Sequence, residues 1–307
     1  MIFKKYSPKL LVYLLMYTSS LLTNYKTRSL SFSRHLGFSI LLFWVSNTYG
    51  QEMVKKNVLF IGNSLTYYSG MPEYLKAMLR STNQPIEVDV SAYPGMSLES
   101  HLDQIIESRT EGSINTRKKK NGEQTETEKI ILSKKWDIVI LQEQPVRVLI
   151  SEFRKRSTEM SIERLKKLIG NPTCRLILFK TWASTEAFPI QFCYPAFMLA
   201  QPVSKEKYCS KKFNSVGEIF SSLSVDYDSV ASATTIGKVS IGDVYDEARR
   251  RYPTIELYDK DSHPTKFGAY LNAYIFYKLL LDGKAALMNY YGDLGKENAV
   301  TLQQLAN

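Results

Sequence analysis

The sequence predicts an α/β protein built on a mainly parallel sheet with helices on both faces. Three observations carry this. Compact apolar runs at residues 58–61, 137–141 and 175–179 read as buried strands. Each is followed by a stretch with apolar residues at helical spacing, and strands alternating with helices fold as crossover units. The 307 residues suffice for one large domain and not obviously for two.

The elements follow in order. Residues 58–61 form a strand ending at Gly62. The spacing of Tyr74, Leu75, Met78 and Leu79 predicts a helix over 72–81, and alternation over 86–92 a second strand. Leu98, Leu102, Ile105 and Ile106 share one face of a helix expected over 98–108. Residues 110–129, with the run Arg117 to Glu123, are polar and read as a solvated loop insertion. A strand over 137–141, a helix over 151–169 and a strand over 175–179 come next. Pro189, Pro195 and Pro202, with several aromatic residues, mark 184–212 as a long irregular loop over a site. A helix near 213–227, a short strand near 235–241, a helix over 242–251 and a final helix over 265–281 complete the chain.

The net charge of +10 invites a polyanion partner, but much of it sits at the start. Residues 1–50 carry Lys4, Lys5, Lys9, Lys26, Arg28 and Arg34 and no acidic residue; without those six, 34 basic residues face 30 acidic ones. A surplus of that size calls for no nucleic-acid partner. The basic flank Arg34-His35, the apolar run Leu36 to Val45 and the small residues before Gln51 are the parts of a signal peptide, with cleavage expected near Gly50. An earlier apolar patch, Leu10 to Tyr17, makes a tandem arrangement that a later translation start would explain. Neither run approaches the roughly 20 residues of a membrane span, although an uncleaved anchor is the alternative. Residues 51–307 are thus expected to be one exported domain. Cys193 and Cys209 flank a polar loop and can pair in an oxidising compartment, whereas Cys174 reads as core. With only His101 and His263 past residue 50 and no clustered cysteines, no metal site is expected.

In parallel sheets functional groups gather at the carboxyl ends of the strands. After the first strand stands Gly62-Asn63-Ser64-Leu65-Thr66. The glycine permits a sharp turn, Ser64 falls at the strand-to-helix junction, and the helix start offers unpaired N–H groups to an oxyanion. A plain N-cap serine would look the same. No GxSxG elbow occurs in the chain. After the second strand, Gly95 in Tyr93-Pro94-Gly95-Met96 can present its N–H, or simply make a turn. After the third, Gln142-Glu143-Gln144-Pro145 offers amide and carboxyl groups. Before the last helix, His263 lies among Asp259, Asp261 and Pro264; a neutral imidazole can take a serine's proton, and a carboxylate would orient its ring.

In order and spacing these four segments resemble the SGNH (GDSL-like) hydrolase family, over about residues 57–282. Gly62 to Thr66 is similar to the first family block, with Asn63 where aspartate is usual; Gly95 matches the second-block glycine; and Asp261-Ser262-His263-Pro264 is similar to the last block. Leu141 to Gln144 and Lys180 to Ala183 resemble a mostly uncharacterised bacterial branch. The resemblance implies a three-layer flavodoxin-like α/β/α fold and ester hydrolysis without metal or organic cofactor. Ser64 would be the nucleophile, His263 the base, and the N–H groups of Ser64 and Gly95 two oxyanion donors. Two positions depart from the family. Its asparagine donor is replaced in the glutamine segment, where Gln144, or else Gln142, would substitute. The acidic residue three before the histidine is Lys260 here, so Asp261 is the expected partner of His263, with Asp259 or a backbone carbonyl as alternatives. The implied substrate is a small-molecule or glycan acyl ester. Trp182, Phe188, Phe192, Tyr194 and Phe197 are candidate sugar-stacking rings, although core packing explains most of them equally well. The rival readings are a non-catalytic glycan or lipid binder on the same fold, and an acyltransferase.

Overall fold

The structure, a computed structural model, describes residues 55–110, 112–183, 187–199, 205–284 and 287–307; the expected signal peptide lies outside them. Five strands make one all-parallel sheet: β1 (Lys56–Gly62), β2 (Ile86–Ala92), β5 (Ile138–Gln142), β6 (Arg175–Phe179) and β9 (Gly237–Val239), in the order β2-β1-β5-β6-β9. That is the flavodoxin-like order, and it reverses between β1 and β5, the switch point where such sheets form their crevice.

Buried strands of a parallel sheet need apolar residues on both faces, which is why these read as unbroken apolar runs. Registered pairs share a face. Phe60, Ile140 and Ile177 line one, and the helix Lys266–Leu280 covers it, its Phe276 ring meeting Phe60 edge-on at 4.8 Å and Phe179 at 5.1 Å. Leu59, Val139 and Leu176 line the other. Helices Met71–Ser81 and Lys296–Leu305 pack beside Lys266–Leu280, and helices Leu98–Asp103, Glu126–Ser133 and Met160–Ile169 pack among themselves. Local chemistry sets the ends. Thr125 and Glu128 form a capping box, Thr265 caps Lys266–Leu280, and Gly170 takes the left-handed conformation that closes Met160–Ile169.

Five expectations are corrected. The helix over 98–108 ends at Asp103, and the chain continues into an antiparallel hairpin of β3 (Gln104–Thr110) and β4 (Ser113–Lys118). The polar insertion is therefore ordered: Gly112 supplies the positive φ of the turn, and Arg117 holds Glu123 through both terminal nitrogens at 2.7 Å. The helix over 151–169 is interrupted by a π-helical stretch, Arg154–Glu159. In the expected irregular loop, β7 (Cys193–Pro195) and β8 (Lys207–Cys209) pair antiparallel and are cross-linked by a Cys193–Cys209 disulfide. Finally, Lys296–Leu305 is a further helix docked by Gln303, whose amide donates to Tyr270 Oη at 2.7 Å and accepts from Met288 N at 2.9 Å.

Candidate active site

Ser64 follows β1 and opens a one-turn helix, Ser64–Tyr67. Asn63 caps it, accepting from Leu65 N at 3.2 Å, so the aspartate-to-asparagine difference keeps the capping oxygen. Its amide end donates to Met96 O at 3.1 Å and ties this turn to the loop after β2. As the first helical residue, Ser64 has a backbone N–H with no acceptor inside the helix. Gly62 is packed so closely that a Cβ there would sit 2.6 Å from both Gln142 Oε1 and Thr66 Oγ1.

His263 comes to this turn from a segment 199 residues away, its Nε2 2.9 Å from Ser64 Oγ. Both residues are half-buried. Asp259 shapes the histidine's loop by accepting the backbone N–H groups of Asp261 and His263 at 3.0 Å each, and Trp182 Nε1 donates to Ser262 O at 3.0 Å. Neither carboxylate bonds the imidazole. The sequence predicts Asp261 as the ring's partner; it is exposed, and Ser262, between the two, adopts the left-handed φ of 72°. The ring instead stacks on Tyr68, centroids 4.3 Å apart and planes 23° from parallel.

Gly95 stands where the sequence places it, after β2. Tyr93-Pro94-Gly95-Met96 closes a turn with Met96 N donating to Tyr93 O at 3.2 Å, and Gly95 has the positive φ, 65°, that the third position of a type II turn requires. The two glutamines take different places. Gln142 is buried; its Oε1 accepts Asn63 N at 2.8 Å and Thr66 Oγ1 at 3.0 Å, so it braces the serine turn from below. Gln144 reaches Gly95, donating to its carbonyl at 2.9 Å, which leaves one N–H of the amide outside that bond.

Several contributors were not legible as such. Glu143 is fully buried; its two oxygens accept Leu98 N at 3.1 Å and Gln144 N at 2.8 Å and so join the loops after β2 and β5. Burial pushes its carboxyl up, while Arg147 and those two N–H groups pull the other way. His101, also buried, donates from Nε2 to Gly62 O at 2.7 Å and faces Thr127 Oγ1 with Nδ1 at 2.6 Å; desolvation lowers its pKa to about 4. A carbonyl cannot donate, so Nε2 carries a proton, and desolvation favours the neutral ring. The only hint was a histidine on the apolar side of a helix. Of the candidate sugar-stacking rings, Trp182 is buried, Phe188 and Phe192 pack on the core, and Tyr194 lies against Phe153; Phe197 is 85% exposed.

The comparisons agree with the fold. A crystal structure of a DUF4886 family protein from Bacteroides uniformis superposes with a TM-score of 0.55 over 82% of this chain and 93% of that one, at 16% identity. A protein from Slackia heliotrinireducens, described as a candidate SGNH hydrolase, gives 0.50 over 74% of this chain and all of its own, at 20% identity. No family model and no curated protein matches the sequence. The chain shares its three-layer α/β/α fold with these two proteins, and Ser64 Oγ and His263 Nε2 meet at the carboxyl edge of its sheet.

Proposed function

We propose that this protein is an exported serine esterase that hydrolyses an acyl ester, with a short acyl group on carbohydrate as its substrate. The observation that carries the reading is the 2.9 Å contact between Ser64 Oγ and His263 Nε2 at the switch point of the sheet. In this reading His263 takes the Ser64 proton at Nε2 as Oγ attacks the acyl carbonyl. The resulting oxyanion is met by the N–H groups of Ser64 and Gly95 and by the second N–H of Gln144. Collapse expels the alcohol, which leaves with the proton from His263. Water, deprotonated by the same nitrogen, then cleaves the acyl-enzyme and releases the acid. With neither Asp259 nor Asp261 bonded to the ring, the pair acts as a dyad steadied by Tyr68, and the Asp259 carboxylate orders the loop by accepting its backbone N–H groups. The disulfide fits an oxidising compartment, and Tyr68, 43% exposed beside the histidine, offers a sugar ring a face.

Incubation of the full chain with a fluorophosphonate, followed by peptide mass analysis, tests this. A single adduct on Ser64, absent in His263→Ala, is expected. An unlabelled Ser64 would replace this reading with that of a non-catalytic binder.

A further inference from the structure

We propose that Tyr194 is a positioning residue for this reaction: its hydroxyl fixes Gln144, and through Gln144 the Gly95 turn that faces the reacting carbonyl. This rests on the esterase reading above. The hydroxyl donates to Gln144 Oε1 at 3.0 Å, and Gln144 Nε2 donates to Gly95 O at 2.9 Å. The chemistry allows one orientation. A carbonyl only accepts, so the amide must turn its nitrogen to Gly95; its oxygen then faces Tyr194, which must donate. Without that donor nothing distinguishes the two ends of the amide from the Tyr194 side, and the restraint on Gly95 weakens.

Tyr194 is itself well held. Its ring meets Phe153 edge-on at 5.5 Å and packs against the small apolar cluster of Ile150, Phe153 and Leu199, and its neighbour Cys193 is cross-linked to Cys209. Burial raises its pKa, so it keeps the proton it donates. Met96 O and Leu98 N, held by Asn63 and Glu143, anchor the far side of the same loop. Gly95 lies between, exposed, where the Tyr194–Gln144 relay provides the side-chain restraint.

The test is a double-mutant cycle on the full chain, reading kcat and KM for p-nitrophenyl acetate in parent, Tyr194→Phe, Gln144→Ala and the double variant. Tyr194→Phe keeps the ring and its packing, so the melting temperature should hold. Its kcat should fall roughly tenfold to a hundredfold with KM unchanged, as small misplacements of catalytic groups do. In the Gln144→Ala background the same substitution should be silent. An unchanged kcat in Tyr194→Phe, or an effect that multiplies in full with that of Gln144→Ala, would overturn the relay while leaving the esterase reading intact. An inert parent with an unlabelled Ser64 would overturn both.

Discussion

Acidification should destabilise this protein through His101. The ring is fully buried with a carbonyl and a hydroxyl as hydrogen-bond partners, and its pKa falls from the ordinary 6.5 to about 4. Between those values the unfolded chain binds a proton that the folded one refuses, so stability rises with pH across the window. The contribution is fully present above pH 6.5 and is lost as pH falls toward 4. At 1.36 kcal/mol for each pH step, the loss at pH 4 is about 3 kcal/mol, a large part of the 5–15 kcal/mol typical of a domain. The assay is urea unfolding at pH 7 and pH 4, followed by tryptophan fluorescence, for the parent and for His101→Gln. Carboxylates, Glu143 among them, titrate in both proteins and cancel in the comparison. The parent should lose about 3 kcal/mol more than the variant over this range; equal losses would refute a neutral, desolvated His101.

Two further outcomes follow from the packing around the serine turn. Gly62→Ala places a methyl 2.6 Å from Gln142 Oε1 and Thr66 Oγ1; it should cost about 1–3 kcal/mol in denaturant unfolding and lower esterase activity by displacing Ser64. Tyr68→Leu removes the ring stacked on His263. Since Tyr68 is 43% exposed, stability should change by less than about 0.5 kcal/mol, while kcat in a chromogenic ester assay should drop roughly tenfold through a less ordered imidazole.

The sheet was legible because its strands are buried on both faces: 58–61, 138–141 and 176–179 are apolar throughout, and each lies within an observed strand. Ser64, Gly95, Gln144 and His263 were legible as candidates because each follows a strand or precedes a helix with a turn residue beside it. The hairpin after Asp103 was not. Its strands are polar, and Ile105 and Ile106 extend the helical spacing of Leu98 and Leu102 although they lie in β3. The surroundings of His263 were hidden for a different reason. Tyr68 rather than Asp261 meets the ring, and the loops on both sides carry left-handed backbone, at Ser262, with φ 72°, and at Ser69, with φ 56°. Serine rarely adopts that conformation, and nothing in its neighbours announces it. Tyr194 was legible as an aromatic residue in a loop, but its partner on Gln144 is set by the pairing of β7 with β8.

The central claim is that Ser64 and His263 form one catalytic unit. Hydrolysis of p-nitrophenyl acetate by the full chain, compared with Ser64→Ala and His263→Ala, tests it most directly. Members of such a unit are strongly non-additive. Each single variant should therefore lose about 10⁴-fold or more in kcat, and the double variant should be no worse than either. A Ser64→Ala protein that keeps the parent's rate would contradict the account.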